Sequence, residues 1–436
     1  MFTGDNMEPV LQVALDFENL HRALQVAKEA VEGGADWIEA GTPLIKSEGM
    51  NAIREIKKNF PNKIVVADMK TADVGGFETE LAAKSGAQIV TILGISDDPT
   101  ITEAVKAGKK YGAEIMIDLL QVENVEERVK QLEKLGVKYF CEHVGIDMQM
   151  IGKNPLKLLE RVVASTKLPV AVAGGLNKES IPDVVKRGAS VIIVGGAITK
   201  APNVSEETAA IKRVIATGIA EHDDMYKKYS KDEIVEALSK VSSSNVSDAM
   251  HRGGAIHGIV PRIPPGTRIV GRALTVKTVN GDWAKPVEAI DHAKPGDILV
   301  IDADGGEDAV WGELASWSCV TKKVKGVVIW GAIRDLDSIM KIPFPAFSRY
   351  VSSNAGDPKG FGEIGSEIEI NGRKIRTGDY IIADYSGVVV IPEEEALEVA
   401  NRAVDVAERE NRVREEIRRG STLSSVQKLE KWEKVG

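Results

Sequence analysis

The chain has 436 residues, a net charge of −9 and a pI near 5.5. Its length calls for two or three domains rather than one, and its acidity argues against nucleic acid or a membrane as the main partner. Cys141 and Cys319 signal neither a disulfide framework nor a metal cluster, and they read as small buried residues in a reducing, cytoplasmic setting. No run of about 18 apolar residues is present to span a bilayer, and Met1–Asp5 lacks the basic and apolar regions of a signal peptide.

The first half repeats a unit of short apolar strand and amphipathic helix. Predicted strands are 11–15, 37–40, 64–67, 89–92, 115–117, 139–141, 170–173 and 191–194, with helical patterns such as 20–31, 53–59 and 125–135 between them. Gly34, Gly86, Gly112, Gly136 and Gly188 each close a helix, as suits a left-handed helix end. Eight evenly sized units with strands apolar enough to be buried on both faces predict an N-terminal (β/α)8 barrel over residues 1–220. Residues 221–240, with Glu221-His222-Asp223-Asp224, read as a helical linker.

The second half, 241–436, reads as a mixed α/β domain with an antiparallel component. Pro261, Pro264, Pro265 and Gly266 punctuate short strands, among them 272–279, 298–303 and 327–330. Residues 392–434 predict a charged C-terminal helix with a solvated face. His251 and His257 lack a third ligand and read as loop residues. Trp311, Trp317 and Trp330 read as core or subunit-contact anchors.

Barrel enzymes carry their chemistry at the C-terminal ends of the strands. Asp16, Glu39, Asp68, Asp118 and His143 fall there, with Lys70 and Asp73 just beyond the third strand. Strand alternation puts Asp68 and Lys70 on one side, and Asp73 is expected to return from the turn so that both aspartates hold Lys70 charged. Opposite charges at one strand end suit a metal or an anionic substrate better than a core. Glu39 and Asp68 offer hard oxygen ligands for Mg²⁺ (or Mn²⁺), and His143 can move a proton near neutral pH. Gly174-Gly175 and Gly195-Gly196, after the last two strands, let backbone amides approach a phosphate.

Residues 8 to about 215 resemble 3-hexulose-6-phosphate synthase of the orotidine-5'-phosphate decarboxylase superfamily. The resemblance rests on Asp68-x-Lys70-x-x-Asp73, Glu142-His143-Val144-Gly145-Ile146-Asp147, Val172-Ala173-Gly174-Gly175 and Val194-Gly195-Gly196-Ala197-Ile198. The decarboxylase has lysine where Glu39 stands and uses no metal. The ketogulonate-phosphate decarboxylases have arginine at Gly196 and glutamate at Asp118. Glu39, Asp118 and Gly196 follow the synthase pattern. The resemblance implies reversible addition of formaldehyde to D-ribulose 5-phosphate, giving D-arabino-hex-3-ulose 6-phosphate. It implies His143 as acid/base, Glu39 and Asp68 as ligands of Mg²⁺, and Lys70 as a stabiliser of the enediolate. Asp16 and Asp73 orient substrate hydroxyls and Lys70, while Asp118 and the glycine pairs hold substrate and phosphate. Another metal-dependent lyase of the same barrel group is the competing reading.

Residues 235 to 400 resemble the RraA-like family, on Ser247-Asp248-Ala249, Gly312-Glu313-Leu314 and Gly331-x-x-Arg334-Asp335. On spacing alone, Arg334 and Asp335 read first as an internal salt bridge. The family contains metal-dependent 2-oxo acid aldolases and a ribonuclease regulator. It implies Arg334 on a pyruvate-like carboxylate, Asp335 on the divalent ion and Gly312 to Leu314 at the enolate end. Those aldolases have an aspartate 21 positions before the arginine, where this chain has Glu313. A non-catalytic oligomerisation or regulator module stays open. Relatives of both halves imply a homo-oligomer.

Overall fold

The computed structural model describes residues 9–153, 155–222 and 226–427. Met1–Asp5, Asp223 and Asp224 of the expected linker, and 428–434 of the expected tail, lie outside them. Two compact units are present. One runs to Gln149, resumes over Lys153–Lys228 and again from Glu408; the other comprises Met150–Gly152 and Tyr229–Ala407.

In the first unit eight parallel strands close into a barrel in sequence order: β1 Val10–Leu15, β2 Trp37–Ala40, β3 Ile64–Thr71, β4 Ile89–Leu93, β5 Glu114–Asp118, β6 Tyr139–His143, β7 Val170–Ala173 and β8 Val191–Val194. All eight predicted strands are there, and β1 pairs with β8 to complete the ring. Alternation divides each strand between two cores. Leu11, Val13, Ile38, Val65, Val90, Ile117, Val172 and Ile192 pack outward under the helices. Ala14, Trp37, Val66, Ile89, Met116, Tyr139 and Ile193 fill the interior. Trp37 and Tyr139 meet edge to face there, with ring centroids 5.8 Å apart.

The helices follow the same logic. Leu20–Glu32 buries Ala23, Val26, Ala27 and Ala30, one stripe at helical spacing. Its Asn19 cap accepts the amide of Arg22 at 3.1 Å, a contact whose loss costs about 1 kcal/mol. The helix Asp98–Tyr111 ends on Gly112, whose φ of 80° is the left-handed cap that favours glycine.

The second unit is built on a mixed sheet. Strands Ile269–Lys277, Ile298–Asp302, Gly326–Ile333 and Ala346–Val351 run parallel. Tyr380–Asp384 and Gly387–Ile391 continue it antiparallel. The first of these starts three residues before the predicted 272, because Ile269 and Val270 already pair with Ala383 and Ile382. Asn371-Gly372 turns a tight hairpin between Ile368–Ile370 and Arg373–Ile375. Trp311 is buried and stacks on Phe344, whereas Trp317 is half-exposed.

The helix Ala396–Arg418 corrects the expectation of a solvated charged face. Asn401, Asp405, Glu408, Arg412 and Glu416 form a polar stripe at helical spacing, and all five are buried. In the second unit Asn401 receives the amide of Tyr229 and donates to the carbonyls of Met150 and Tyr229. In the first unit Arg412, 2% exposed, bonds Glu29, Glu416 and the carbonyl of Pro202.

Candidate functional site at the barrel mouth

Glu39, Asp68, Asp118 and His143 continue the inward-facing series of their strands just beyond the apolar filling, and Gln12 lies within it on β1 between Val10 and Ala14. Asp16 follows β1 at the rim. Gly41, after β2, is forced by it: a Cβ at this position would lie 2.3 Å from Asp16 Oδ1.

Asp68 is the most connected of these groups. Its Oδ2 accepts from Thr42 Oγ1 at 2.8 Å and from Lys70 Nζ at 2.6 Å, and its Oδ1 accepts from Thr91 Oγ1 at 2.7 Å. Lys70 reaches it by a different route from simple alternation. The β3–β4 register shifts between Ala67 and Thr71, and Lys70 takes a left-handed φ of 44°. This irregularity re-aims the lysine into the mouth.

Asp73 does not join Lys70. It is exposed beyond the strand end, its Oδ1 accepts the amide of Val74, and it lines an open groove with Phe77 and Thr100. The second anion on Lys70 is Asp118, at 3.2 Å. The expected Asp68–Lys70–Asp73 triad is therefore Asp68–Lys70–Asp118, because the bulge turns the chain outward before Asp73 is reached.

Asp118 Oδ2 also takes His143 Nδ1 at 2.9 Å, and its Oδ1 accepts the amide of Leu120. Burial pushes the Asp118 carboxyl up, but the bond to His143 and the charges of His143 and Lys70 outweigh it and hold the pKa low. Lys70 is opposed by burial in the same way. The Asp68 and Asp118 charges prevail and raise it, so the ammonium stays charged.

The remaining carboxylates are under opposite stress. Burial, then the charges of Asp68 and Asp16, push Glu39 well above its ordinary value, and a hydrogen bond from Gln12 Nε2 offsets only part of this. Asp16 is raised by its enclosure in the mouth and by Asp68. Negative charge thus exceeds positive here, which is what a hard divalent cation would relieve. The all-oxygen pair Glu39 and Asp68 suits Mg²⁺. Among the described residues, no group of three or more His, Cys, Asp or Glu side chains is placed to hold a metal. Two protein oxygens completed by water and substrate is a pattern Mg²⁺ accepts.

The glycine pairs sit where expected. A Cβ on Gly174, at φ 118°, would lie 2.6 Å from the carbonyl of Val144, so only glycine fits. Gly174 and Gly175 line a cavity of about 250 Å³ with Gln149, Asn177, Lys227 and Lys228. Gly195 borders Asp16. Thr42, Thr91, Gln12 and Gly41 were not singled out in the sequence. Their only signal was their place on or just after the barrel strands that carry or neighbour the mouth carboxylates.

In the second unit, Arg334 and Asp335 follow the strand Gly326–Ile333 and meet Gly312 to Leu314. Asp335 Oδ2 accepts the amide of Glu313 at 3.2 Å and lies 3.7 Å from Arg334 Nε. The indole of Trp317 donates to Glu313. Arg334 and Asp335 are exposed, as is Leu314 at 79%.

Residues 9–211 match the family model described as orotidine 5'-phosphate decarboxylase / HUMPS family. The chain is 40% identical over 209 residues to 3-hexulose-6-phosphate synthase of Bacillus subtilis (strain 168), covering 48% of this chain and 99% of that protein. The chain belongs to this family. The 3-hexulose-6-phosphate synthase of Mycobacterium gastri is 40% identical over 206 residues, 47% of this chain and 99% of the relative. The crystal structure of the synthase from Salmonella typhimurium shares 36% identity over 48% of this chain and 100% of that one, with a TM-score of 0.47. Beyond the HUMPS-type barrel, residues 243–390 match the Aldolase/RraA model, and the second half is an RraA-like domain. No helix among the described residues is long and apolar enough to cross a membrane.

Proposed function

We propose that the barrel is a 3-hexulose-6-phosphate synthase, an aldehyde-lyase that adds formaldehyde to D-ribulose 5-phosphate and reverses the same step. The observation that carries the reading is the charge relay at the mouth, in which Asp68 and Asp118 hold Lys70 and Asp118 holds His143. It stands on a barrel that synthases match over 99% of their length.

His143 gives its Nδ1–H to the acceptor-only Asp118 carboxylate, which leaves Nε2 as the basic nitrogen. Nε2 takes a proton from the hydroxymethyl carbon beside the ketone, and the electron pair moves onto the ketone oxygen as an enediolate forms. Lys70 stabilises that oxygen as a fixed cation. The carbon then attacks formaldehyde. A C–C bond forms, the formaldehyde π pair goes to its oxygen, and that oxygen takes the proton back from His143. Asp118 stays ionised throughout and orients the imidazole. A divalent cation on Glu39 and Asp68 would polarise the substrate oxygens as a Lewis acid. Asp16 orients substrate hydroxyls, and the two glycine pairs let the backbone close on the phosphate.

The test is formaldehyde consumption with ribulose 5-phosphate, with and without EDTA, in wild type and Asp68→Ala. We expect the variant to stay folded and to lose at least about 100-fold in kcat, since it removes an anchor of both Lys70 and the cation. Near wild-type turnover would overturn the assignment. A different product from the same ketose would favour another lyase of this barrel group.

For the RraA-like half we infer a small 2-oxo acid site. Arg334 would fork onto the carboxylate and Asp335 would face the divalent ion. The approach of both to Gly312–Leu314 supports this reading.

A further inference from the structure

Position 12 is an apolar position filled by an amide. Gln12 faces the barrel interior, is 0% exposed, and lies level with Trp37 on β2 and Ile193 on β8, both part of the apolar filling. Its Nε2 donates to Glu39 Oε2, but its Oε1 is buried without a hydrogen-bond partner among the described residues. An unmatched buried acceptor costs about 1–3 kcal/mol. An apolar side chain of the same length would fill the layer without that cost, so packing does not account for the glutamine.

Glu39 accounts for it. This glutamate stands level with Ala14, one inward step above Gln12, and is 6% exposed. The two carboxylates assigned to the cation are anchored very unequally. Asp68 accepts from Thr42, Lys70 and Thr91. Glu39 accepts a hydrogen bond from Gln12 alone among the described residues. The last torsion of a glutamate is broad until a partner fixes it. The Gln12 amide fixes it by taking Oε2, which leaves Oε1 for a ligand. An ionised carboxylate only accepts, so the amide must present its nitrogen to Glu39 and turn its oxygen into the apolar layer. The unmatched oxygen is thus the other end of the bond that holds the carboxylate. The donor is also neutral, so it anchors Glu39 without cancelling the negative charge a divalent ion requires.

We propose that Gln12 is the positioning residue of the cation site, and that its amide holds Glu39 in the orientation from which Oε1 ligates a divalent ion. The proposal rests on the reading of Glu39 and Asp68 as ligands of that ion. Gln12 acts through Glu39 and is not itself a ligand.

The test uses the full chain without substrate. Mn²⁺ binding is measured by electron paramagnetic resonance and calorimetry, beside thermal melting in EDTA. Gln12→Met should weaken Mn²⁺ roughly 10- to 100-fold, the range for losing a partner that orients a metal ligand. Gln12→Asn keeps a buried amide but withdraws it from Glu39. It should lose a similar factor in affinity and, free of metal, melt lower than Gln12→Met, because only the methionine removes the unmatched oxygen. Glu39→Gln removes the ligand and should show the largest loss. Affinity would then follow the donor to Glu39 and not the stability of the barrel. Wild-type Mn²⁺ affinity in Gln12→Met, with binding still abolished by Glu39→Gln, overturns the proposal alone. So does a loss confined to Gln12→Asn, which would make the glutamine a packing residue. A wild type that takes up no Mn²⁺, or whose uptake survives Glu39→Gln, overturns the cation reading and the proposal with it.

Discussion

Replacing Glu142 with glutamine tests how the barrel tolerates a carboxyl group that no neighbour receives. Glu142 precedes His143 on β6 and lies opposite Val172, facing the helix side of the strand. It is 1% exposed, and neither oxygen has a hydrogen-bond partner among the described residues. Burial, reinforced by the Asp118 charge, pushes its pKa up to about 8, and Arg161 offsets only part of this. The folded chain therefore keeps a proton that the unfolded chain gives up near pH 4.5. A folded-state pKa raised in this way means stability that is full in acid and lost as pH climbs towards 8.

At pH 7 the gap from the unfolded value is about 2.5 units, or roughly 3 kcal/mol at about 1.4 kcal/mol per unit. Glutamine keeps the shape and does not titrate. Calorimetric unfolding of wild type and Glu142→Gln at pH 5 and pH 8 measures the difference. Near-equal barrel transitions are expected at pH 5. At pH 8 the difference grows to about 3 units, roughly 4 kcal/mol, and the variant should melt higher by about 8–16 °C in a unit of this size. Curves that stay parallel across the range would refute the reasoning, since the wild-type carboxyl would then carry no proton beyond the usual one.

Two further outcomes follow from the charge balance at the two sites. Glu39 and Asp16 are both raised, so protons compete with a divalent cation for the mouth. The rise in melting temperature on adding Mg²⁺ should grow from pH 5.5 to pH 8 and vanish in Glu39→Gln; a rise independent of pH, or one that survives the substitution, would place the ion elsewhere. In the RraA-like domain, Arg334→Ala should abolish Mg²⁺-dependent decarboxylation of oxaloacetate while leaving the sheet folded. A wild type inert towards oxaloacetate would favour a binding or assembly role for this half.

The barrel was legible in the sequence because its strands are buried on both faces. Runs such as Val191–Val194 stay apolar at every position, and a glycine marks the return from most helices. The mouth carboxylates were legible for a related reason: each is the first ionisable residue after such a run, at a fixed register. Asp73 was misplaced because alternation stops at Lys70, where φ turns positive, and no spacing rule reports a bulge. Thr91 was passed over because a threonine in a strand reads as ordinary β-propensity. The C-terminal helix misled more deeply. Arg412 and Glu416 are four apart, as surface ion pairs are. What buries them is Glu29 and the Pro202 carbonyl, far away in sequence.

If the barrel acts on a ketose phosphate as proposed, the distribution of charge would also set which way round it lies. Asp16, Glu39, Asp68 and Asp118 crowd one side of the mouth, and Lys70 is bonded to two of them. A phosphate placed there would meet more negative charge than positive, at short range and low dielectric. The loop after β7 carries Glu179 but lines a cavity with Lys227 and Lys228, and Gly195 after β8 borders Asp16. On the proposed reading the dianionic end would lie at the loop after β7 and the ketone end would face His143 and Lys70. A phosphate group does not react in this chemistry, but its fixed position puts the hydroxymethyl carbon within reach of the base, so binding energy gained at the remote end lowers the barrier at the reacting one. The same asymmetry explains why the mouth can keep strained, proton-retaining carboxylates: they are relieved when a cation and a neutral ketone occupy the space they enclose.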